Sequence, residues 1–339
     1  MKGLILSGGT GTRMRPFTYS RAKQLLPVAN KPVLHYCMDF LVAAGIREIG
    51  VIVGDTHKQI KASLGDGSKW GAAVAYIHQD QPRGLAHAVL QAADFVGDSS
   101  FVMVLGDNLI EEDLTTFLAK FNPTTHAAAI VLREVANPRQ FGVAKVAGDE
   151  ILYLVEKPAE PPSNLAIMGI YLFTPHIFAA ARAIKPSARG ELEITDAIQY
   201  LIEKGHKVRP LTATGQWYDV GSAADLLRAN TRVLNSKLAP GKVIIPASTT
   251  VINSKIEGPT IIGESCEIVN SYIGPHTSVG DGCSIVNCSV LNSILFDHSS
   301  IRNLPWVIES SVIADNAALV GPPGTSVKIT AGSNCTINF

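Results

Sequence analysis

The sequence lacks an excess of charge of either sign. Its 339 residues contain 29 Lys and Arg against 29 Asp and Glu, so the formal net charge at pH 7 is zero. This excludes a chain-wide basic field for nucleic acid polymers or anionic lipid, although it leaves room for a local anion site. Charged residues make up only 17% of the chain and apolar residues 46%, which excludes disorder caused by low hydrophobicity and high charge.

Long apolar runs and paired cysteines are lacking as well. The longest apolar runs, such as Ala127 to Leu132, are far shorter than the ~20 residues that a membrane helix needs. The apolar stretch after Met1 is too short for a secretory signal and leads directly into glycines. The five cysteines include no C-x-x-C pair, which is typical of reduced thiols. We therefore expect a cytoplasmic protein with no membrane partner.

The first two thirds of the chain alternate between short apolar, β-branched runs and helical stretches. The predicted strands are Gly3 to Leu6, Ile49 to Val53, Val74 to His78 and Phe101 to Leu105. The predicted helices between them are Pro32 to Ala44, His57 to Leu64 and Ala86 to Ala93. This alternation predicts an α/β fold with a Rossmann-like, mostly parallel sheet. Such sheets bind ligands at the carboxyl ends of their strands, here the loops after Leu6 and Leu105.

After about residue 240 the apolar period changes to steps of five to seven residues. The aliphatic positions are Val251, Ile256, Ile261, Ile268, Ile273, Val279, Ile285, Val290, Leu295, Ile301 and Val307, with Gly, Pro, Asn and Ser between them. A hexapeptide period predicts a parallel β-helix, in which each coil stacks on the next; the alternative is a β-sandwich with many turns. We predict two domains, residues 1–238 and 243–339, with a hinge near Ala239-Pro240-Gly241.

The first turn, L-S-G-G-T-G-T-R-M-R-P from Leu6 to Pro16, carries the strongest chemical signal. Its three glycines, Gly8, Gly9 and Gly11, let successive backbone N–H groups approach an anion. No Gly-Lys-Ser/Thr follows, and Met14 replaces the third glycine of a dinucleotide fingerprint. Arg13 and the downstream Lys23 add two cations that suit a triphosphate. The alternative is a glycine-rich turn with two surface cations.

Further motifs follow in a fixed order. They are K-Q-L-L-P (23–27), Q-D-Q-P-R-G-L-A-H-A (79–88), V-L-G-D-N (104–108), F-G-V-A (141–144), V-E-K-P (155–158), G-I-Y (169–171), R-G-E-L-E-I-T-D (189–196) and W-Y-D-V-G (217–221). With the first turn, this series resembles the sugar-1-phosphate nucleotidylyltransferases, and within them the glucose-1-phosphate thymidylyltransferases. The tail resembles the long-form members, which carry a left-handed β-helix after the nucleotidyltransferase domain.

The resemblance implies an activity and a set of site residues. Expected substrates are dTTP and glucose 1-phosphate, with Mg²⁺ as the cofactor. Arg13 and Lys23 are implied as catalytic. The implied nucleotide-binding residues are Gly8, Gly9, Gly11, Thr12, Arg13, Gln79, Gly84 and Asp107. The implied sugar-phosphate residues are Gly142, Glu156, Lys157, Tyr171 and Arg189. Asp107 and Asp219 are implied as metal ligands, and two carboxylates together with substrate phosphates suit Mg²⁺.

Two details of the motifs bear on specificity. The amide of Gln79 can pair with both the donor and the acceptor edge of thymine or uracil, and Gly84 would let the base approach closely. These bases differ by one methyl group, which is worth only ~1–3 kcal/mol of discrimination. Phe141 stands where many short-form relatives carry Tyr, so any contact from that hydroxyl is lost. A UTP-dependent uridylyltransferase therefore remains an alternative.

The tail leaves a second alternative, a bifunctional nucleotidyl/acetyltransferase. Hexapeptide β-helices also form acyltransferases, and such chemistry would need His276 or His298. A third alternative, a binding protein that has lost catalysis, is disfavoured because the implied cations and carboxylates are all present. We expect a homo-oligomer, with Cys266, Cys283 and Cys288 pointing inward. His35 and His87 are interpreted as partly buried polar residues with no required role.

Overall fold

The computed structural model describes residues 1–321. The remaining residues of the predicted β-helix segment, Cys335 among them, lie outside the described part. The helices are α1 (Val33–Ala43), α2 (His57–Leu64), α3 (Leu85–Gln91), α4 (Ala93–Val96), α5 (Leu114–Leu118), α6 (His176–Ala183), α7 (Ile194–Glu203) and α8 (Ala223–Lys237). Short 3₁₀ helices occur at Thr12–Met14, Phe17–Tyr19, Lys23–Leu25, Ser68–Trp70 and Pro138–Gln140.

The strands fall into two series. The first contains β1 (Lys2–Ser7), β2 (Pro27–Val28), β3 (Lys31–Pro32), β4 (Glu48–Val53), β5 (Ala73–His78), β6 (Phe101–Leu105), β7 (Asn108–Glu111), β8 (Ala128–Glu134), β9 (Gly142–Ala147), β10 (Glu150–Glu156), β11 (Leu165–Phe173), β12 (Val208–Thr212) and β13 (Gln216–Asp219). The second contains β14 (Val243–Ile244), β15 (Thr250–Ile252), β16 (Lys255–Ile256), β17 (Thr260–Ile262), β18 (Glu267–Val269), β19 (Tyr272–Ile273), β20 (Ser278–Val279), β21 (Ser284–Val286), β22 (Ser289–Leu291), β23 (Ile294–Leu295), β24 (Ser300–Arg302), β25 (Val307–Glu309), β26 (Val312–Ile313) and β27 (Ala318–Val320).

A nine-stranded mixed sheet organises the first series. Its strand order is β10-β9-β11-β6-β1-β4-β5, with β8 also on β11 and β12 on β8. Strands β6, β1, β4 and β5 are parallel, as the alternation of strands and helices predicts, while β11 runs antiparallel to its neighbours. Leu4 and Ile5 of β1 are both 0% exposed yet belong to different core clusters. The sheet is therefore covered on both faces, which explains the continuous apolar runs of its strands.

The predicted elements of the sheet are confirmed to within a residue or two. Helix α2 has the predicted bounds, and α1 ends just before the predicted end. Gly45 has a φ of 83°, its N–H bonds to Val42 O, and the Ile46 N–H bonds to Leu41 O. This pair of bonds is a Schellman motif, which satisfies the last carbonyls of the helix and needs a left-handed residue at Gly45.

The second series forms the left-handed β-helix that the sequence predicts. Its strands stack in three parallel sheets, β14-β17-β20-β23-β26, β15-β18-β21-β24-β27 and β16-β19-β22-β25. One aliphatic residue per strand points inward in register, for example Ile268, Ile285 and Ile301, all 0% exposed. The thiols of Cys266, Cys283 and Cys288 are free and buried in this core, as predicted.

Two of the predicted inward positions are wrong. In β17 the buried residue is Ile262 and not Ile261, because side chains alternate along the strand and Thr260 and Ile262 share the inner side. In β25 it is Ile308, in register with Val290, and Val307 is 52% exposed, because a longer turn at residues 303–306 shifts the count. Val251 is in register with the inward Ile268, as predicted, but it is 38% exposed because it lies in the first coil, which has a neighbouring coil on one side only.

Contacts group the chain into two compact units. The first contains Met1–Thr10, Arg21–Leu25 and Leu34–Tyr218, and the second contains Gly11–Ser20, Leu26–Val33 and the described residues from Asp219 onward. Two early segments and α8 thus belong with the β-helical coils. The domain boundaries predicted from periodicity, 1–238 and 243–339, divide the chain at the start of the coils. They remain a prediction.

Candidate active site

The glycine turn after β1 is crowded at Gly8 and open at Gly9. A Cβ atom at Gly8 would lie 2.8 Å from the Oε1 atom of Gln79, whereas Gly9 faces open space. Both glycines belong to the first unit. The rest of the turn belongs to the second unit, where Gly11 has a φ of 65° and precedes the 3₁₀ helix Thr12–Met14. Met14 is 1% exposed, so the residue that breaks the dinucleotide fingerprint anchors this helix.

Lys23 and Asp107 form an ion pair at the carboxyl end of the sheet. Asp107 follows β6, as the sequence predicts, and its Oδ2 atom lies 2.6 Å from Lys23 Nζ. The Lys23 side chain is only 8% exposed, while that of Asp107 is 24% exposed. The carboxylate is thus the more accessible member of the pair, and the ammonium group lies behind it.

Gln79 follows β5 and is 6% exposed. Its Nε2 atom donates to Gly84 O at 3.4 Å and to His87 Nδ1 at 3.0 Å. Gly84 has a φ of 106°, and a Cβ there would lie 2.4 Å from Leu192 O. The structure therefore brings Gly8, Gln79 and Gly84 together. The positive φ of residue 84 and the closeness of the Leu192 backbone explain why this residue is glycine.

A second cluster gathers around Glu156 at the end of β10, with residues from β9, from α7 and from the segments next to β10 and α7. Thr195 Oγ1 donates to Glu156 Oε2 at 2.7 Å, and Glu156 Oε1 lies 3.7 Å from Lys157 Nζ and 3.5 Å from Arg189 Nη2. A Cβ at Gly142 would lie 3.1 Å from Glu156 Oε2. Lys157 has a φ of 42°, an uncommon conformation for a residue other than glycine. The cluster therefore brings together four of the predicted sugar-phosphate residues.

Tyr171, the fifth of these residues, lies deeper in the sheet. It is 4% exposed and stacks on Phe173, with ring centroids 5.6 Å apart. Burial and, to a smaller extent, the charge of Glu156 raise its pKa. The phenol is therefore neutral at physiological pH.

Glu193 is a member of this cluster that the sequence analysis missed. Its side chain is 4% exposed and accepts hydrogen bonds from Arg189 Nη2 at 2.8 Å, Arg189 Nε at 3.2 Å and Ser187 Oγ at 2.8 Å. Partial burial lowers the pKa of Arg189, but the hydrogen bond to Glu193 and the charges of Glu193, Glu191 and Glu156 outweigh that effect. The pKa of Arg189 is therefore raised above its ordinary value. The i, i+4 spacing within R-G-E-L-E was the available signal.

Asp219 ends β13 and belongs to the second unit with Arg13. A Cβ at Gly221 would lie 3.6 Å from Arg13 Nη1 and 3.7 Å from Asp219 Oδ2, so both side chains reach the same glycine. The predicted metal pairing of Asp219 with Asp107 of the first unit remains a prediction. Within residues 1–321 no three His, Cys, Asp or Glu side chains form a group that could hold a metal ion.

Fold and site together define the class of protein. Gly8, Gln79 and Asp107 follow the carboxyl ends of the parallel strands β1, β5 and β6, and open α/β sheets bind their ligands at these ends. A left-handed β-helix follows in the same chain. The class is thus an α/β protein with a candidate nucleotide site, joined to β-helical coils. Among the helices of residues 1–321, none combines the length and hydropathy of a membrane span.

Comparisons with known proteins give the family. The nucleotidyl transferase family profile matches residues 2–236, and the chain belongs to this family. It is 46% identical over 274 residues to a glucose-1-phosphate thymidylyltransferase of Streptomyces griseus, covering 77% of each chain. It is 49% identical over 253 residues to a low-salt glycan biosynthesis nucleotidyltransferase of Haloferax volcanii, covering 74% of this chain and 71% of the relative.

Solved structures agree with this assignment. A Bacillus anthracis protein described as a glucose-1-phosphate thymidylyltransferase, solved with sucrose, has a TM-score of 0.65 and 37% identity, covering 71% of this chain and 98% of that one. A UDP-glucose pyrophosphorylase bound to UDP-glucose has a TM-score of 0.64 and 26% identity, covering 70% of this chain and 99% of that one. The resemblance drawn from the sequence motifs is confirmed.

Proposed function

We propose that this chain transfers the nucleotidyl group of dTTP to glucose 1-phosphate, giving dTDP-glucose and pyrophosphate. The observation that carries the proposal is the 46% identity to a thymidylyltransferase over 77% of each chain. The pairing of Lys23 with Asp107 and the cluster around Glu156 support it, because they supply a place for a triphosphate and a place for a sugar phosphate.

The reaction is a displacement at the α-phosphorus of dTTP. A phosphate oxygen of glucose 1-phosphate forms the new bond while the bond to pyrophosphate breaks in line. The attacking phosphate is already anionic, so no general base is required. Catalysis then consists of positioning and charge neutralisation. Arg13 and Lys23 neutralise the triphosphate, while Lys157 and Arg189 hold the phosphate of the sugar.

The remaining residues recognise the two substrates. Glu156, fixed by Thr195, accepts hydrogen bonds from sugar hydroxyls beside Gly142 and Tyr171. Gln79 contacts the base, and Gly84 leaves its face open. Gly8, Gly9, Gly11 and Thr12 supply backbone N–H groups to the phosphates.

A divalent cation, Mg²⁺, completes the proposal. Carboxylate oxygens are the donors that Mg²⁺ prefers, and the open side of Asp107 fits a metal bound by few protein ligands and by substrate phosphates. Asp107 and Asp219 would hold it. When bound, it withdraws charge from the phosphate oxygens.

The coils are proposed to support assembly and not a second reaction. Apolar side chains exposed on them, among them Ile252 and Trp306, support the expected homo-oligomer. His276 Nε2 lies 3.1 Å from Asn235 Oδ1 of α8, which gives that histidine a packing role and no support to acyl transfer. The four described cysteines are free, which supports the proposed cytoplasmic location.

Pyrophosphate release tests the proposed reaction. We would supply glucose 1-phosphate and Mg²⁺ with each of dTTP, UTP, CTP, GTP and ATP, with a chelator control. We expect dTTP to dominate and Asp107→Asn to lower kcat/KM by about 10²-fold or more. Asp113→Asn is the matched control, because Asp113 is an exposed cap of α5. Faster turnover of UTP would make the chain a uridylyltransferase, and no release from any nucleotide would contradict the proposal.

A further inference from the structure

The side-chain amide of Gln79 is held in one orientation. Its nitrogen lies 3.4 Å from Gly84 O and 3.0 Å from His87 Nδ1. A backbone carbonyl can only accept a hydrogen bond, so the nitrogen of the amide, and not its oxygen, must face Gly84. Gln79 is 6% exposed, and an amide hydrogen left without a partner at such a site would be costly.

The other end of the amide faces the glycine turn. Gln79 Oε1 lies 2.8 Å from the place that a Cβ of residue 8 would occupy. Both amide hydrogens are used inside the protein, so the group that Gln79 presents to a ligand is its carbonyl oxygen. Gln79 therefore offers an acceptor and not the donor-and-acceptor pair that the residue type alone allows.

His87 is the residue that secures this orientation. It lies on α3, and Nδ1 accepts from Gln79 Nε2, which can only donate, so the ring proton is on Nε2. The amide nitrogen of the exposed Gln91 lies 3.3 Å from Nε2 and is also a donor, so the Gln91 amide has to present its oxygen there or turn away. The bond to His87 is shorter than the bond to Gly84. Without an acceptor at this point of α3, one amide hydrogen of Gln79 loses its partner and the barrier against a flipped amide falls.

We propose that His87 is a positioning residue for base recognition, which keeps Gln79 Oε1 turned toward the base. The inference rests on the proposed function. Thymine and uracil carry an N–H at ring position N3, which can donate to Oε1. Cytosine carries a bare acceptor there, which Oε1 repels. The site thus selects pyrimidines that have a ring N–H, and His87 sets that selection without touching the nucleotide.

The test compares dTTP with dCTP on three variants of the full chain. His87→Leu removes the acceptor at similar volume, and His87→Ala removes it without adding an apolar branch. His87→Asn keeps an oxygen acceptor near the place of Nδ1 and is the matched control. Calorimetric dissociation constants for both nucleotides, and kcat/KM with glucose 1-phosphate, give the preference for dTTP over dCTP.

We expect the wild-type preference to fall by about five- to tenfold in His87→Leu and His87→Ala, the effect of one lost hydrogen bond. His87→Asn should keep it within about twofold. Equal weakening of both nucleotides with an unchanged ratio would overturn the proposal, as would a wild-type protein with no preference. If binding shows the expected ratios but glucose 1-phosphate is not turned over, the proposed function fails and the role of His87 stands.

Discussion

The buried carboxylate of Glu193 is the residue on which the geometry of Arg189 depends. It accepts two hydrogen bonds from the guanidinium, whereas Glu191 meets the same group at 3.5 Å and is 43% exposed. We expect Glu193→Gln to raise the KM for glucose 1-phosphate by about tenfold, because a neutral amide holds the guanidinium less firmly. Steady-state kinetics with each substrate varied would measure this change.

The matched control is Glu191→Gln, whose exposed ion pair is worth little. It should leave the KM for the sugar phosphate within about twofold of wild type. If Glu193→Gln changed the KM values of both substrates equally, the carboxylate would not act through Arg189.

Asp196 provides a pH-dependent prediction at the same scale. Burial raises its pKa above the ordinary 3.8, and the charges of Glu193 and Glu156 raise it further. The folded state then binds more protons than the unfolded state, so this group lowers stability as the pH rises from about 3.8 through the raised folded pKa. We expect Asp196→Asn to be more stable than wild type at pH 7, with the gain vanishing at low pH. Denaturant midpoints at both pH values would measure it.

Asp113 is the control of opposite sign. Its hydrogen bonds from Thr115 lower its pKa, so its charge stabilises the fold above the ordinary pKa and stops doing so as the pH falls through the lowered value. Asp113→Asn should therefore be less stable than wild type at pH 7. A loss of stability at pH 7 in both variants would contradict the assignment for Asp196.

Site residues that belong to a recognisable sequence motif could be predicted. Residues that reach the site only because of how the chain folds could not. Asp107 could be placed from the apolar strand before it, and the structure confirms that position after β6. His87 was interpreted as a polar residue without a role, because its contact with Gln79 needs the loop between β5 and α3 to fold back. Glu193 was missed for a related reason, since its burial depends on α7 and the loop before it.

At the scale of elements, helix α8 depends on one buried amide. Asn230 is 0% exposed; its Oδ1 atom accepts from Ala29 N at 2.8 Å and Ser278 Oγ at 2.7 Å, and its Nδ2 atom donates to His276 O at 3.1 Å. We expect Asn230→Ala to lower the free energy of unfolding by about 2–3 kcal/mol, because it leaves buried backbone and side-chain groups without partners. Urea denaturation would measure the loss.

Asn235 on the same helix is the matched control. It is exposed, and its Oδ1 atom lies 3.1 Å from His276 Nε2. Asn235→Ala should change the free energy of unfolding by about 0.5 kcal/mol or less. Equal losses in the two variants would show that helix propensity, and not the buried bonds of Asn230, explains the effect.

Element types followed from local pattern, but their pairing did not. The continuous apolar runs of β1 and β6 and the six-residue period of the coils report burial directly, so those elements were predicted well. Strand β11 lies antiparallel to β6 and β8, an arrangement that depends on contacts distant in sequence. Ile308 was missed because a turn of unusual length changes the register without changing the apolar composition.

At the scale of the whole molecule, sequence order and spatial grouping differ. The segments Gly11–Ser20 and Leu26–Val33 come early in the chain, yet they belong to the unit that contains the coils. Asn30 Nδ2 donates to Val279 O at 2.6 Å, and the rings of Phe17 and Phe296 lie 5.7 Å apart. A change in periodicity locates the first coil, but it cannot show that an early loop packs on later coils.

This grouping predicts that the coils support the segment that carries Arg13. Phe296 is 1% exposed and packs on Phe17, four residues after Arg13. We expect Phe296→Ala to raise the KM for dTTP by about three- to tenfold, because the segment loses its aromatic contact. Kinetics with dTTP varied at saturating sugar phosphate would measure the change.

The control variant must destabilise the coils as much as Phe296→Ala does without removing a contact to the segment that carries Arg13. Ile301 is 0% exposed in the core of the β-helix, and Ile301→Ala should cost about 2–5 kcal/mol in unfolding free energy, in the range expected for Phe296→Ala. Its KM for dTTP should stay within about twofold of wild type, since a folded protein with intact Phe296 keeps the contact with Phe17. If both variants raise the KM to the same extent, the coils act only through overall stability, and the link between Phe296 and the nucleotide turn is lost.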